Sequence, residues 1–153
     1  MWDKTMYLTT NNRGFTLVEL MIVIALIAVI AGFAIPQFGR IIDNNRVVST
    51  TNSIVGLLNY SRSEAVRRGE RVTVTSAADT LVTTLTSNGN VIRQIEESDG
   101  GLSITAGAVT FRANGLTTSG GNVAFNVCAG ASDGRTVTVT PGGRVDTTDF
   151  NCP

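Results

Sequence analysis

The order of apolar and polar residues divides the chain into a helical first part and a β-rich second part. No charged side chain interrupts the apolar residues from Leu20 to Ile35, and the whole apolar segment, Phe15 to Ile35, has 21 residues. A helix of that length extends about 30 Å, which matches the hydrocarbon core of a bilayer. The pattern therefore predicts a membrane-spanning helix half over residues 15–35.

The apolar pattern continues beyond Pro36 with a helical period. Over residues 36–69, apolar side chains such as Ile54 and Leu58 recur at steps of three and four, which predicts an amphipathic helix with one buried stripe. We expect Pro36 to bend or locally open the helix, because it lacks an N–H and crowds the preceding turn. Gly69 is typical of the position just after a helix end.

Residues 70–153 are rich in Val, Thr, Gly and Ser, and their apolar pattern has a period of two. This alternation, broken by turn residues, is typical of short antiparallel strands. The predicted strands are Arg71–Thr75, Thr80–Ser87, Val91–Glu96, Ala108–Arg112, Val123–Cys128 and Thr136–Thr140, with a short return at Arg144–Thr147. The expected fold class is therefore α+β, a long N-terminal helix whose second half packs on an antiparallel β-sheet head.

The composition argues against an enzyme. The chain has no histidine, so it lacks the commonest general base and metal ligand. It has no Gly-x-Ser-x-Gly, no phosphate-binding loop and no cluster with metal-ligand spacing. Glu96, Glu97 and Asp99 could hold a calcium ion, but such an acidic run is usually a solvated turn. We expect no catalytic residue, no metal and no cofactor, and we regard a membrane-anchored enzyme as the weakest alternative.

The two cysteines lie near the end of the chain, at Cys128 and Cys152. In a segment exported across a membrane, an even pair is typical of one disulfide. Two free buried thiols are the alternative.

The net charge is zero, but the charges are unevenly distributed. Residues 36–68 carry five arginines and two acids, a net of +3, whereas residues 69–153 carry five arginines and eight acids, a net of −3. An acidic head disfavours nucleic acid as a partner, because DNA affinity comes mostly from neutralised phosphates.

Glu19 is the one acid within the apolar segment. An ionisable side chain there costs a few kcal/mol on insertion scales and suggests a function. Its carboxylate either extends to the lipid headgroups or pairs with a cation on another molecule. A secretory signal would have an apolar core of about 7–15 residues followed by its cleavage site, and a plain anchor would not need Glu19.

The segment Gly14-Phe15-Thr16-Leu17-Val18-Glu19, followed by the apolar run and Pro36, resembles the N terminus of type IV pilins and type II secretion pseudopilins. The resemblance implies that residues 1–14 are a class III leader, which a prepilin peptidase of the inner membrane cleaves between Gly14 and Phe15. It implies N-methylation of Phe15 and a role of Glu19 in filament assembly. The partner of Glu19 would be the Phe15 amine of a neighbouring copy or related pilin.

A second resemblance covers the rest of the chain. The ordered series Leu57–Gly69, Phe111–Gly115, Asp133–Val139 and Gly142–Val145 is similar to the GspH/FimT family of minor pilins and minor pseudopilins. This implies the type IV pilin fold and a part in initiating or capping a type IV pilus or, alternatively, a type II secretion pseudopilus. It implies other minor and major pilins or pseudopilins as partners, and lipid contact before assembly. The subunit would span the inner membrane once with a periplasmic head, and then lie at the filament tip.

One subgroup of this family binds DNA for natural transformation through a C-terminal Gly-Arg-x-Arg motif. The matching residues here are Gly143-Arg144-Val145-Asp146, so an acid replaces the second arginine. This replacement and the acidic head argue against DNA binding, for which Arg144 is the candidate contact. A solvated turn residue is the alternative role of Arg144.

Overall fold

The computed structural model describes residues 14–77, 80–86, 88–96, 101–105, 107–130 and 133–153. The chain forms two compact units, the first ending at Phe38 and the second beginning at Gly39. Three predictions lie partly or wholly outside the described residues: the leader apart from Gly14, the acids Glu97 and Asp99, and the strand end at Ser87.

Helix α1 spans Leu17–Arg68, 52 residues in all. It continues through Pro36 without a break, although proline lacks the N–H that a helical hydrogen bond needs. The expected bend or local opening at Pro36 stays a prediction. Within the described residues, α1 is the helix long and apolar enough to cross a membrane, judged by length and composition.

Eight strands follow the helix, and they form two four-stranded antiparallel sheets with the orders β3-β2-β1-β5 and β4-β6-β7-β8. The strands are β1 Val72–Ala77, β2 Thr80–Leu85, β3 Val91–Glu96, β4 Leu102–Ile104, β5 Gly107–Phe111, β6 Val123–Ala129, β7 Asp133–Val139 and β8 Val145–Asn151.

The head therefore has two sheets where we expected one. Strand β5 pairs with β1, whereas the preceding strand β4 pairs with β6, so the chain passes from one sheet to the other between Ile104 and Gly107. The three-residue strand β4 is absent from the sequence prediction because it is too short for a recognisable alternation. Strand β8 extends to Asn151, well beyond the predicted short return.

The second half of α1 and both sheets share one hydrophobic core. The apolar stripe predicted over residues 36–69 is confirmed in Ile54 and Leu58, which are fully buried against residues of both sheets such as Phe111 and Phe125. Val66, whose spacing also fits this stripe, is 53% exposed and therefore lies outside the core. The buried Ser61 donates to the Leu57 carbonyl and shares a hydrogen bond of 3.0 Å with Thr83 on β2.

Candidate functional site

The predicted processing and assembly residues lie at the start of α1. The Glu19 backbone N–H donates to Thr16 Oγ1 at 3.2 Å, and the Thr16 backbone N–H and hydroxyl lie 3.4 and 3.5 Å from Glu19 Oε2. This reciprocal arrangement is a capping box, which satisfies N–H groups that have no partner within the helix. Gly14 and Phe15 lie immediately before it and are exposed.

The capping box provides Glu19 with a partner inside its own chain. Among the described residues no salt bridge involves Glu19, so the expected cation on another molecule stays a prediction. Sequence reasoning missed the box, although Thr-x-x-Glu before an apolar run is its usual signal. Glu19 therefore has a local structural role as well as the proposed one in assembly.

The apolar first half of α1 is exposed along its length. Exposed fractions are 83% for Phe15, 57% for Leu20, 59% for Leu26 and 80% for Phe33. Exposed apolar surface of this extent marks a membrane or protein contact. No described residue covers this surface.

A different kind of site lies at the opposite end of α1, where Arg62 joins the helix to two turns. Its Nε donates to the Gly115 carbonyl at 3.0 Å and its Nη2 to the Gly142 carbonyl at 3.3 Å. Gly143 closes this junction with a φ of +76°, and a Cβ there would overlap the Gly115 carbonyl oxygen. Glycine is required at this position by both torsion and space.

The two turns are also bonded to each other. The Thr117 N–H donates to the Pro141 carbonyl at 3.0 Å. Sequence reasoning placed Gly115, Gly142 and Gly143 only within the series of family motifs. Nothing local reveals that Arg62, more than 50 positions from Gly115, reaches both turns. Arg62 and these turns therefore form one hydrogen-bonded corner of the head.

Arg144, the candidate DNA contact, is paired. Its guanidinium lies 2.6 Å from Asp146 Oδ2 through Nη2 and 2.7 Å through Nε. Asp146 is the residue that replaces the second arginine of the DNA-binding motif. The replacement therefore removes one cation and neutralises the other, which strengthens the argument against nucleic acid.

Glu64 organises the last turn of α1. Its side chain is 7% exposed and accepts hydrogen bonds from Arg67 at 2.6 and 3.0 Å and from Arg68 at 2.6 Å. These bonds, the one from Arg67 first, lower the pKa of Glu64 from 4.5 to about 2. The two arginines lie at the negative end of the helix, where cations are favoured.

The predicted disulfide between Cys128 and Cys152 is present, so the alternative of two free thiols is wrong. It joins β6 to the residue after β8 across the intervening strand β7. Gly134 of β7 lies directly against the disulfide. A Cβ at this position would overlap Cys152 Sγ and lie 3.1 Å from Cys128 Sγ. The crosslink is worth about 3 kcal/mol in the chain-entropy model. A glycine inside a strand is the signal that could have revealed the close approach.

No group of acids or cysteines with metal-binding geometry occurs in the described part of the chain. The strand-end acid Glu96 belongs to β3, but the rest of the predicted acidic run lies outside the described residues.

Two family models match the sequence. The model of type II transport protein GspH matches residues 50–143, more than half of the chain. The model of the prokaryotic N-terminal methylation motif matches residues 9–35. Both agree with the resemblances found in the motifs.

Curated relatives match shorter stretches. Two proteins of Pseudomonas aeruginosa described as "Fimbrial protein" are 33% identical over 69 residues, 45% of this chain and 45% of theirs. The type IV major pilin protein PilA of Myxococcus xanthus (strain DK1622) is 67% identical over 28 residues, 18% of this chain and 13% of PilA. The chain thus spans less than half the length of the curated relatives it matches.

Solved structures agree in fold. Two crystal forms of the type IV minor pilin FimU from P. aeruginosa (strain PAO1) are 20% identical and superpose with TM-scores of 0.61 and 0.56. The matches cover 69% and 65% of this chain and 90% of FimU. The expected fold class, the type IV pilin fold with one long N-terminal helix and antiparallel sheets, is therefore confirmed.

Proposed function

Because this chain belongs to the GspH family of type IV pilin-like proteins, we propose that it is a minor pilin that takes part in initiating or capping the assembly of a type IV pilus. The observation that carries the proposal is the contrast within α1. One face of its second half is buried in the core of the head, while its apolar first half has no cover among the described residues. A subunit that moves from lipid into a helical bundle needs this arrangement.

A minor pseudopilin of a type II secretion system is the second candidate, and the description of the matching family model favours it. The curated fimbrial relatives and the FimU fold favour the pilus. The two machines use subunits of the same architecture, so the choice depends on which other subunits the chain joins. In both cases the role is structural, and we propose no catalysis.

We propose the following processing for the N terminus. A prepilin peptidase cleaves between Gly14 and Phe15, and the new Phe15 amine is methylated. Glu19 then exchanges the capping contact with Thr16 for the cationic amine of a neighbouring subunit. Removing one partner of a buried ion pair is costly, so this pair would be satisfied only when subunits stack in register. The chain would lie in the inner membrane with a periplasmic head before assembly, and near the filament tip afterwards.

The test is the substitution Glu19→Ala. We expect normal membrane insertion and processing but a strong loss from sheared filaments, measured by immunoblotting of membrane and filament fractions. Asp43→Ala also replaces an acid by alanine, on the same helix but outside the predicted span; it is the control and should assemble normally. Equal incorporation of the Glu19 variant and the control would exclude the pairing.

A further inference from the structure

Two arginines share an open pocket at one end of the paired strands β1 and β5. These strands pair with Val72 opposite Phe111, so the same register continued by one position sets Arg71 opposite Arg112. Both arginines line a pocket of about 360 Å³, whose other lining residues are Gly69, Glu70, Ala113 and Asn114. The pocket therefore lies where the residue after α1, the start of β1 and the turn after β5 come together.

Hydrogen bonds outside the strand pair fix the backbone of each arginine. The Thr86 N–H donates to the Arg71 carbonyl at 3.1 Å. The Arg112 carbonyl accepts from the Gly115 N–H at 2.9 Å, and the Gly115 carbonyl in turn accepts from Arg62 Nε at 3.0 Å. The two guanidinium groups thus extend from a pre-organised backbone, which lowers the entropic cost of binding a ligand.

Arg71 and Arg112 form a like-charge pair. Among the described residues, neither takes part in a salt bridge, whereas Arg67 and Arg144 each lie 2.6 Å from a carboxylate oxygen. Like charges directly opposite each other on antiparallel strands are destabilising, and such losses of stability are typical of positions that serve a function. An oxyanion between the two guanidinium groups would replace their repulsion by charge-assisted hydrogen bonds. The pair therefore indicates an anion-binding site.

The rest of the pocket favours a carboxylate as the anion. Glu70 lines the same pocket, so two arginines and one glutamate leave a net charge of +1. One carboxylate neutralises this charge, whereas a phosphate dianion or a nucleic acid would exceed it. Asn114 Oδ1 accepts from the Leu116 N–H at 3.2 Å, so its amide N–H groups are the part of Asn114 that can donate to a bound oxygen.

We propose that Arg71 and Arg112 bind one carboxylate group, with the Asn114 amide as a further donor. The guanidinium fork matches the geometry of a carboxylate, and the carboxylate has two sources, a free organic acid or the side chain of an acidic peptide. The inference goes beyond the proposed function and does not depend on it, because every lining residue belongs to the head of a single chain.

Binding is tested by titrating the full-length chain in detergent, followed by NMR of the arginine Nε–H groups and the Asn114 side-chain amide. Acetate and a short peptide with a single glutamate are the probes, at an ionic strength held constant with chloride. We expect the signals of Arg71, Arg112 and Asn114 to shift and saturate. The double variant Arg71→Gln and Arg112→Gln, followed through Asn114, should bind about tenfold more weakly, because charge-assisted hydrogen bonds are lost.

Two further variants sharpen the binding test. Glu70→Gln should bind the probes more tightly than the wild type, because it removes a repelling charge from the pocket. Arg135→Gln, in β7 of the other sheet, is the matched control and should bind as the wild type does. Tighter binding of the peptide than of acetate assigns the site to acidic peptides, and equal binding assigns it to free organic acids. Both results support a carboxylate site.

A second measurement tests the like-charge pair itself. In chloride without a probe, Arg112→Gln should raise the unfolding temperature of the chain by about 1–4 °C, the shift expected when one such pair is removed. Arg135→Gln should not raise it. The proposal is overturned if Arg112→Gln is no more stable than this control, if neither probe saturates, or if phosphate or a DNA oligonucleotide binds more tightly than both probes. None of these results bears on whether the chain joins a filament.

Discussion

The two halves of α1 are parts of one helix, but only the second half is buried against other parts of the same chain. In the second half, Leu58 is fully buried, and the sheets of the same chain supply its contacts. In the first half, Leu26 is 59% exposed although it belongs to a more apolar stretch. The comparison shows that hydrophobicity alone does not indicate what covers a helix. A stripe with a helical period indicates a partner within the fold, whereas an all-apolar circumference requires lipid or other chains.

The largest difference is expected between leucine-to-alanine substitutions in the two halves, measured as the free energy of unfolding of the head. Leu58→Ala removes a fully buried side chain and should lower the free energy of unfolding of the head by about 2–5 kcal/mol. Leu26→Ala should leave that free energy unchanged, because no described residue covers its side chain. Urea unfolding of the full-length chain in detergent, followed by circular dichroism of the β signal, measures both. Equal losses in the two variants would mean that the halves are not independent.

A substitution at Gly143 should lower the stability of the head nearly as much as Leu58→Ala. Gly143→Ala places a side chain at a φ of +76° and against the Gly115 carbonyl oxygen, and should cost about 1–3 kcal/mol. Gly120→Ala is the matched control, because a Cβ at Gly120 would meet no atom within 4 Å. Thermal unfolding of the two variants measures the difference. A Gly143 variant as stable as the Gly120 variant would show that the corner around Arg62 tolerates a side chain at this position.

The Glu64 cluster makes the stability of the head depend on pH. Since the folded pKa, about 2, lies below the ordinary value of 4.5, the folded state binds fewer protons than the unfolded state. The stabilisation is complete above about pH 4.5 and is lost as the pH falls toward 2. The unfolding temperature of Glu64→Gln should change less than that of the wild type between pH 5 and 2. Parallel curves for the two proteins would contradict the role of Glu64.

The smallest effect is expected in DNA binding. Because Arg144 is bonded to Asp146, a gel shift of the full-length chain in detergent at low salt should show no tight binding. Asp146→Arg removes the neutralising acid and adds a cation, so it should increase any weak, salt-sensitive binding. Tight binding by the wild type would contradict this argument and favour a role in DNA uptake.

Local sequence patterns were sufficient to predict much of the secondary structure and the family. The uncharged apolar run and the period of the stripe predicted α1, and the alternation of Val and Thr predicted six of the eight strands closely. The glycine and phenylalanine before Glu19 predicted the pilin-like N terminus that the methylation model also matches. With only two cysteines in the chain, one disulfide was possible, and it formed.

The sequence by itself determined the helix, most of the strands and the family, because neighbours three, four or two positions apart carry these signals. Only the tertiary structure decided that the strands divide into two sheets, that Arg62 holds two distant turns, and that Arg71 and Arg112 line one pocket. It also decided that Asp146 neutralises Arg144. These contacts depend on which strands pair and on the direction of each side chain. Cooperative packing of the whole head selects both, and no local pattern encodes them.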